Sequence, residues 1–511
     1  MRKKPKKINI LELNSYIFEK NITKNYKFRK ITKYIIIIIM ISLLFFIKID
    51  IKSFRRRNNN SIINEFNKIY NSSMNNTDTK KNPEFIKYYP INILEKRLKT
   101  EPFVICQNSN SLHICYKEKD NLLNIKNGVI CKMENIIIDP SKSKDSGFTY
   151  NGPVDEENGG NPLLSKGFFN MNCQNNKTLE NYDKNYITYF NSWDYEYKYN
   201  KEKTEELAPG KIIYFMSRNQ DSPNLFHGTS ELINAVSIMN ILNINPEDIQ
   251  IVFLESIIIK DDPLYDLYEN IISRGAKPIH IRNLKKKYHI SKAIHIHVNW
   301  DSPCYISIGP LNSGSSTKTY KFLNFLIDKY MKINIYKDKF ISDNITVYYP
   351  KITIESYKSK NTFKKVITFL WRKIWPSTRI YQYRLVGNGP ELVEKLASVL
   401  PKDYLIRLVD TSRLSISEQI SIIRSSDYIV GIHGAGFTLS IYAKNDCIIH
   451  EIWNQNYNYL LMRMAALSGH RAYYDTISAK VYNKELLEYI YLNEDEFTEC
   501  LLKRMKENNF I

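Results

Sequence analysis

Cysteine is scarce in this chain, with 7 residues in 511. That density excludes a small scaffold stapled by disulfides. No Cys-x-x-Cys pair occurs, so nothing marks a zinc ribbon. No internal repeat is visible, and no basic groove with interleaved aromatics runs through the body. Acidic residues are in deficit, 53 Asp+Glu against 73 Lys+Arg, for a formal net charge of +20. Hydrophobic residues make up 43% and aromatics 13%, with 37 Tyr, which excludes a wholly disordered chain. The length suits two or three packed units plus extras.

The charge is concentrated at one end. Residues 1–60 hold 16 Lys/Arg and 3 Asp/Glu, a net +13, so the other 451 residues carry +7. A surface that coats a polyanion spreads its cations over the folded body, so no nucleic-acid partner is expected.

Tyr34–Ile47 is a run of 14 uncharged residues containing five consecutive Ile. Counting through Ile49 and Ile51 gives 18 residues, interrupted by Lys48 and Asp50. As a helix this spans about 27 Å, enough for the thinner membranes of the secretory pathway. A cleaved signal peptide would start closer to the apolar run and end on small residues, whereas 33 residues precede this one. A buried soluble helix would show a polar face. The expectation is a single anchor at 34–51 in a lipid bilayer. A short basic tail inside and a large body outside make it type II. Beyond the anchor, sequons begin at Asn59, Asn71, Asn75, Asn176 and Asn344, and all seven Cys follow the anchor, so the body is expected in the lumen of the endoplasmic reticulum or Golgi. The Cys106/Cys115/Cys131 group is where a disulfide is expected.

Residues 52–95 read as a flexible stem, opening on Arg55-Arg56-Arg57-Asn58-Asn59-Asn60. Apolar density then rises. Strand-like runs recur at Ile212–Met216, Ile249–Leu254, Pro278–Ile281 and Ala293–Val298. A second series covers Val366–Leu370, Leu405–Val409, Tyr428–Ile432 and Cys447–Ile452. Helical segments intervene: Thr229–Leu242, Pro390–Leu400, a helix opened by the capping box Ser415-Ile416-Ser417-Glu418, and Tyr457–Ser468 stopped by Gly469. Alternating strands and helices imply parallel sheets covered on both faces. The expected organisation is an α/β body with one half at 96–365, another at 366–485, a cleft between them, and a helical tail at 486–511.

The densest chemical signal is Asp427-Tyr428-Ile429-Val430-Gly431-Ile432-His433-Gly434-Ala435-Gly436. An apolar strand runs into a small-residue turn and then a short helix at Phe437–Lys444. Such a turn lets a ligand approach the backbone, and its amides can cradle phosphate. His433 would sit at the strand's carboxyl end, where α/β sheets bind ligands; a tight turn with a buried His stays open. Glu451 ends the next strand, and a carboxylate there needs a partner, either an ion pair or ligand hydroxyls. His295 and His297 share one strand face, but a metal site needs a third ligand.

These residues resemble glycosyltransferase family 61. The resemblance rests on Val409-Asp410, Ser417-Glu418-Gln419, Ser425-Ser426-Asp427, Gly431 through Gly436, and His450-Glu451. Upstream, Arg372, Arg384-Leu385-Val386-Gly387-Asn388 and Glu391-Leu392-Val393 are similar to the family's Arg-x-x-x-Asn element and following helix. Further up, Tyr214-Phe215, Asn224-Leu225-Phe226-His227 and Asn234 are similar to its Asn-x-x-His segment. Tyr459, Ala465 and Gly469 fit its closing pattern. The chain departs from the family at Phe437, where Leu is usual, in 140–210, and in the polar stretch Asp338–Phe363.

The resemblance implies a GT-B-like fold of two Rossmann-like halves behind a single transmembrane helix and stem. It implies inverting transfer of GlcNAc or a pentose from a UDP-sugar to a hydroxyl of a glycoprotein or glycan. The first half would face the acceptor and the second the nucleotide sugar. Arg384 is expected on the diphosphate, with Asn388, His433, Gly434, Ala435 and Gly436 lining the donor site and Glu451 on the ribose. The catalytic base is not singled out: His227 and Glu255 are candidates, and His433 is a third catalytic residue. No Asp-x-Asp occurs, so a divalent metal is not supported and no cofactor is firmly implied. A protein on the same fold that binds glycan without catalysis is the alternative.

Overall fold

A computed structural model describes residues 65, 98–99, 102–116, 129–144, 163–173, 191–197, 204–216, 225–254, 262, 264–297, 318–331, 347–353, 355, 363–372, 383–411, 414–453, 465, 468–484 and 487–511. The chain divides into residues 1–65 and 66–511. The expected anchor at 34–51, Glu255, Cys304 and most of the helix expected at Tyr457–Ser468 lie outside the described residues. No helix among the described residues is long and apolar enough to cross a membrane.

Within 66–511 the described strands gather into two sheets of nine strands each, with Ser143–Lys144 and Leu163–Leu164 pairing apart from them. The first holds β1 (Phe103–Gln107), β2 (Leu112–Tyr116), β3 (Val129–Ile138), β4 (Ile212–Met216), β5 (Ile249–Phe253), β6 (Ile279–His280) and β7 (Tyr288–His297). Their order is β1-β2-β3-β7-β4-β5-β6, and the short strands Phe169–Asn170 and Trp193–Asp194 attach at β3. β1, β2, β3 and β7 run antiparallel, while β7, β4, β5 and β6 run parallel. The parallel part is the part expected from the sequence. Ile251, Val252 and Phe215 are sealed from solvent because both faces of a parallel strand are covered. Two disulfides pin the antiparallel part. Cys115–Cys131 joins residues directly opposite on β2 and β3, and Cys106–Cys173 ties β1 to the chain beyond Phe169–Asn170.

The second sheet is built from β8 (Val347–Tyr348), β9 (Lys365–Arg372), β10 (Tyr383–Val386), β11 (Tyr404–Asp410), β12 (Tyr428–Ile432), β13 (Ile448–Trp453), β14 (Arg471–Thr476), β15 (Ala479–Lys484) and β16 (Leu487–Leu492). Five of these are parallel and ordered β11-β9-β12-β13-β14. Numbered along the chain, that order is 2-1-3-4-5, with a switch point between β9 and β12. A flap of β10, β16 and β15 joins the carboxyl end of β9 through Arg372 and Leu385.

The sheet therefore reaches past both expected boundaries. The segment expected as a helical tail begins with a strand, because Ile490 and Leu492 point into the core while Tyr489 and Tyr491 point away, a period of two. A helix follows only at Glu494–Glu507, capped by Asn493, whose side chain accepts from the amides of Asp495 and Glu496.

Helices α1 (Leu225–Leu242), α2 (Lys318–Tyr330), α3 (Gly389–Val399), α4 (Ile416–Arg424) and α5 (Glu494–Glu507) cover these sheets. The Ser415/Glu418 capping box opens α4 as its sequence dictates. α3 buries Leu392, Val393, Leu396 and Ala397, the three larger side chains contributing roughly 1.5–3 kcal/mol each. Phe497 and Leu501 of α5 pack in the same core as Phe369 and Tyr428. Arg407 is buried beneath α4 and donates to Thr368 Oγ1 (2.8 Å), Ile422 O (2.7 Å) and Ser426 Oγ (3.2 Å). Burial lowers its pKa to about 10, which still leaves it a cation at neutral pH. At the same C-terminal end of α4, Arg424 pairs with Asp328 of α2.

Candidate active site

β12 ends at Ile432 and the chain then turns through His433 and Gly434 into a 3₁₀ helix, Ala435–Tyr442. The expected short helix is therefore present, tighter in pitch and beginning two residues earlier. His433 continues the ladder by donating its amide to Ile452 O of β13 at 3.1 Å. Gly431 stands opposite Glu451 across β12 and β13. A Cβ on Gly431 would lie 2.9 Å from the Phe437 ring and 3.3 Å from Leu370 O, so the returning turn can close over the strand only with glycine there.

The register brings two candidates together. His433 Nδ1 lies 2.5 Å from Glu451 Oε1. The His433 side chain is 13% exposed and that of Glu451 is fully buried. Glu451 Oε2 is buried and has no hydrogen-bond partner. One carboxylate oxygen thus fixes the imidazole and the other remains an unfilled acceptor. Both residues stand at the carboxyl ends of adjacent parallel strands beside the switch point. Trp453 packs 5.8 Å from the His433 ring, centroid to centroid.

The remaining candidates are placed as follows. Gly434 and Gly436 stand at the turn and Ala435 begins the 3₁₀ helix. Arg384 stands on β10, opposite Glu488 of β16. Asn388 precedes α3, and its amide donates to Leu492 O (2.9 Å) and accepts from Leu492 N (3.1 Å). It braces β16 with both ends of its side chain, so the amide expected to line the donor site is engaged in the fold. His227 is the third residue of α1.

Two clusters have metal-like composition among the described residues, and neither leaves an open ligand set. In His113/Cys115/Cys131 the two sulfurs form a disulfide. In His450/Asp475/Cys500, Asp475 accepts from Arg504 Nε (2.7 Å) and Nη2 (2.6 Å). Burial keeps His450 neutral by lowering its pKa. Tyr428, whose hydroxyl pKa burial raises well above normal, donates to Nδ1 at 2.7 Å, and Nε2 donates to Asp475 at 2.9 Å. Reading His450 and Glu451 only as neighbours in sequence missed this chain. Strand alternation alone would have sent the two to opposite faces. His295 packs edge-on against Phe215 at 6.4 Å.

Comparison with known proteins gives the class of this segment. Residues 269–450 match the family model of Glycosyltransferase 61, a little over a third of the chain. The match bears out, over that segment, the resemblance read from the residues. It contains Arg384, Asn388 and the His433 turn, and ends one residue before Glu451. Two curated proteins are similar to part of the chain. One is the EGF domain-specific O-linked N-acetylglucosamine transferase of Drosophila melanogaster, 33% identical over 88 residues, which are 17% of this chain and 15% of the relative. The other is the protein of the same name from Gallus gallus, 30% identical over 91 residues, which are 18% of this chain and 17% of the relative. The chain's match spans about a sixth of the length of these relatives.

Proposed function

We propose that the chain is a membrane-anchored inverting glycosyltransferase. It moves a sugar, GlcNAc or a pentose, from a UDP-sugar to an acceptor hydroxyl on a glycoprotein or glycan. The observation that carries this reading is the His433–Glu451 pair at the switch point of a 2-1-3-4-5 sheet, at the end of the segment that matches the family. The sequence supports the anchor at 34–51, a type II orientation, and a lumenal body in the endoplasmic reticulum or Golgi. A GT-B-like cleft would put the acceptor on the first sheet's side and the nucleotide sugar on the second's.

The chemistry asks three things of the site. The acceptor hydroxyl must lose its proton as it attacks the anomeric carbon. The bond from that carbon to the diphosphate oxygen must break with its charge stabilised. The reactants must be held in line. Glu451 Oε1 accepts from Nδ1–H of His433 and fixes the ring, and the imidazole is assigned as the base that takes the acceptor proton. Glu451 Oε2 is a buried acceptor without a donor, which is costly to leave dry, and a ribose hydroxyl satisfies it. Arg384 on the strand before α3 and the amides of Gly434–Gly436 are assigned to the departing diphosphate.

The test is release of UDP by the purified full-length chain in detergent micelles, across a panel of UDP-sugars with glycoprotein and glycan acceptors. Turnover with one donor supports the reading. No turnover with any donor would refute it, and UDP or glycan binding without turnover would favour the catalytically silent alternative.

A further inference from the structure

One hollow among the described residues has neither His433 nor Glu451 in its lining. It is an open depression of about 980 Å³ between the β15–β16 hairpin, α3 and the start of α5. That volume lies within the range of ligand sites.

Its wall is one face of the hairpin. Lys480 stands opposite Tyr491 across the two strands, and Tyr482 opposite Tyr489. Alternation puts all four on the same face, with Ile490 on the other face in the core. Tyr482 is 55% exposed and Tyr491 40%, and their rings meet edge to face at 5.4 Å. Five large hydrophobic residues are exposed among the described residues, and two of them, Tyr482 and Tyr491, lie side by side on this face, while Val481 stands opposite Ile490 on the other. Such clustering marks an interaction site, where scattered exposure would not. The Tyr491 ring lies against the backbone of Gly387, where any Cβ would strike it. The glycine therefore lets the ring lie flat beside α3.

The rest of the lining selects the occupant. Lys395 and Lys480 are matched by Glu494 and Asp495, so the charged groups sum to zero, and Lys395 already pairs with Asp495. A neutral lining does not select for a phosphate, a polyanion or a charged peptide. Ser478 adds a hydroxyl that both donates and accepts, and Asn493, whose Oδ1 caps α5, adds its amide NH2 as a donor. Tyrosine rings that offer flat apolar faces, ringed by donors and acceptors of balanced charge, fit a ligand with apolar C–H faces and a hydroxyl rim. We propose that this hollow is a second carbohydrate-binding site. It takes a neutral oligosaccharide, with Tyr482 and Tyr491 as stacking platforms, and it is separate from the His433–Glu451 pair.

The proposal concerns binding and does not require transfer, so its outcome is separable from that of the proposed function. The test is saturation-transfer NMR of the full-length chain in micelles with chitotriose, cellotriose and mannotriose, each with and without excess UDP. At least one triose should receive saturation, and UDP should leave that signal in place. Tyr482→Ala/Tyr491→Ala should reduce it at least fivefold. Tyr482→Phe should keep it, because the ring face is retained. Gly387→Ala should weaken it by displacing the Tyr491 ring. Tyr482 is 55% exposed and Tyr491 40%, outside the buried core, so the double variant should stay folded, with a cooperative melt that checks it. No saturation in any triose, a signal unchanged in the double variant, or a signal abolished by UDP would overturn the proposal. So would a double variant that alters self-association and leaves triose binding intact, which would make the face a contact between copies of this chain.

Discussion

Replacing Glu451 by glutamine tests the site most directly, because the two side chains have nearly the same shape. Glu451 is fully buried, with Oε1 2.5 Å from His433 Nδ1 and Oε2 without a partner. A hydrogen bond to a charged group contributes about 1.5–3 kcal/mol and a neutral one about 0.5–1.5 kcal/mol. Glutamine keeps an acceptor for Nδ1–H and loses the charge, a difference of about 1–1.5 kcal/mol. At about 1.4 kcal/mol per decade, kcat should fall roughly five- to thirteenfold. Glu451→Ala loses the whole bond and should fall roughly 13- to 160-fold. Stability should move the other way for glutamine, since an uncharged amide replaces a buried carboxylate. Its Tm should hold or rise. The assay is UDP release at saturating and at limiting donor, so that kcat and KM separate. A loss confined to the KM for the UDP-sugar would assign Glu451 to the ribose alone and refute its hold on His433. So would an unchanged kcat in Glu451→Gln beside a collapse in His433→Ala.

The other predictions concern the frame. Gly431→Ala puts a methyl 2.9 Å from Phe437 and 3.3 Å from Leu370 O, and overpacking of that kind costs about 1–3 kcal/mol, readable as a lowered denaturation midpoint. An unchanged midpoint would mean the turn has room to move. Cys106→Ser/Cys173→Ser opens a loop with a sequence separation of 67, and chain entropy sets the loss near 4 kcal/mol, against about 3 kcal/mol for Cys115–Cys131 with a separation of 16. Equal losses in urea melts would count against that ordering. Burial pushes His113 down to about 3 and His470 down to about 4, and it also lowers His450. These groups are neutral when folded and take up protons when unfolded. Stability is therefore full above about pH 6.5 and falls as the pH drops toward the folded values, by about 1.4 kcal/mol per pH unit for each histidine. Melting between pH 7 and 5 should show Tm falling with acid, more shallowly in His470→Leu, and a Tm that rises with acid would refute it.

The parallel core was legible because buried strands write continuous apolar runs, as in Ile249–Phe253 and Tyr428–Ile432. The capping box at Ser415 was legible because its reciprocal bonds are local. What failed to show has physical reasons. Leu112–Tyr116 reads LHICY, a hairpin strand whose polar and thiol positions break the apolar signal. Leu487–Leu492 hides its strand because its outward face is tyrosine. Cys173 could not be matched to Cys106 from spacing, since connectivity is a property of the fold. His433 and Glu451 were each legible as strand-end residues. Their contact was not, because it depends on the register that sets Gly431 beside Glu451. The bonds of Asn388 to Leu492 were not legible either, since the partner lies 104 residues away.

Phe510 gives the second sheet a schedule. Its ring packs 5.8 Å from Tyr404 and 5.5 Å from Tyr428, and its carbonyl accepts from the Tyr404 hydroxyl at 2.7 Å. The strand Leu487–Leu492 completes the flap on β9, and Phe497 packs 5.5 Å from Phe369. When β9 to β14 have left the ribosome and the residues after Thr476 have not, the sheet is therefore without its lid. That intermediate must hold its apolar face while residues 487–510 emerge, about 1–5 s at ordinary elongation rates. During biosynthesis, this interval is when a chaperone has the most surface to grip on the second sheet.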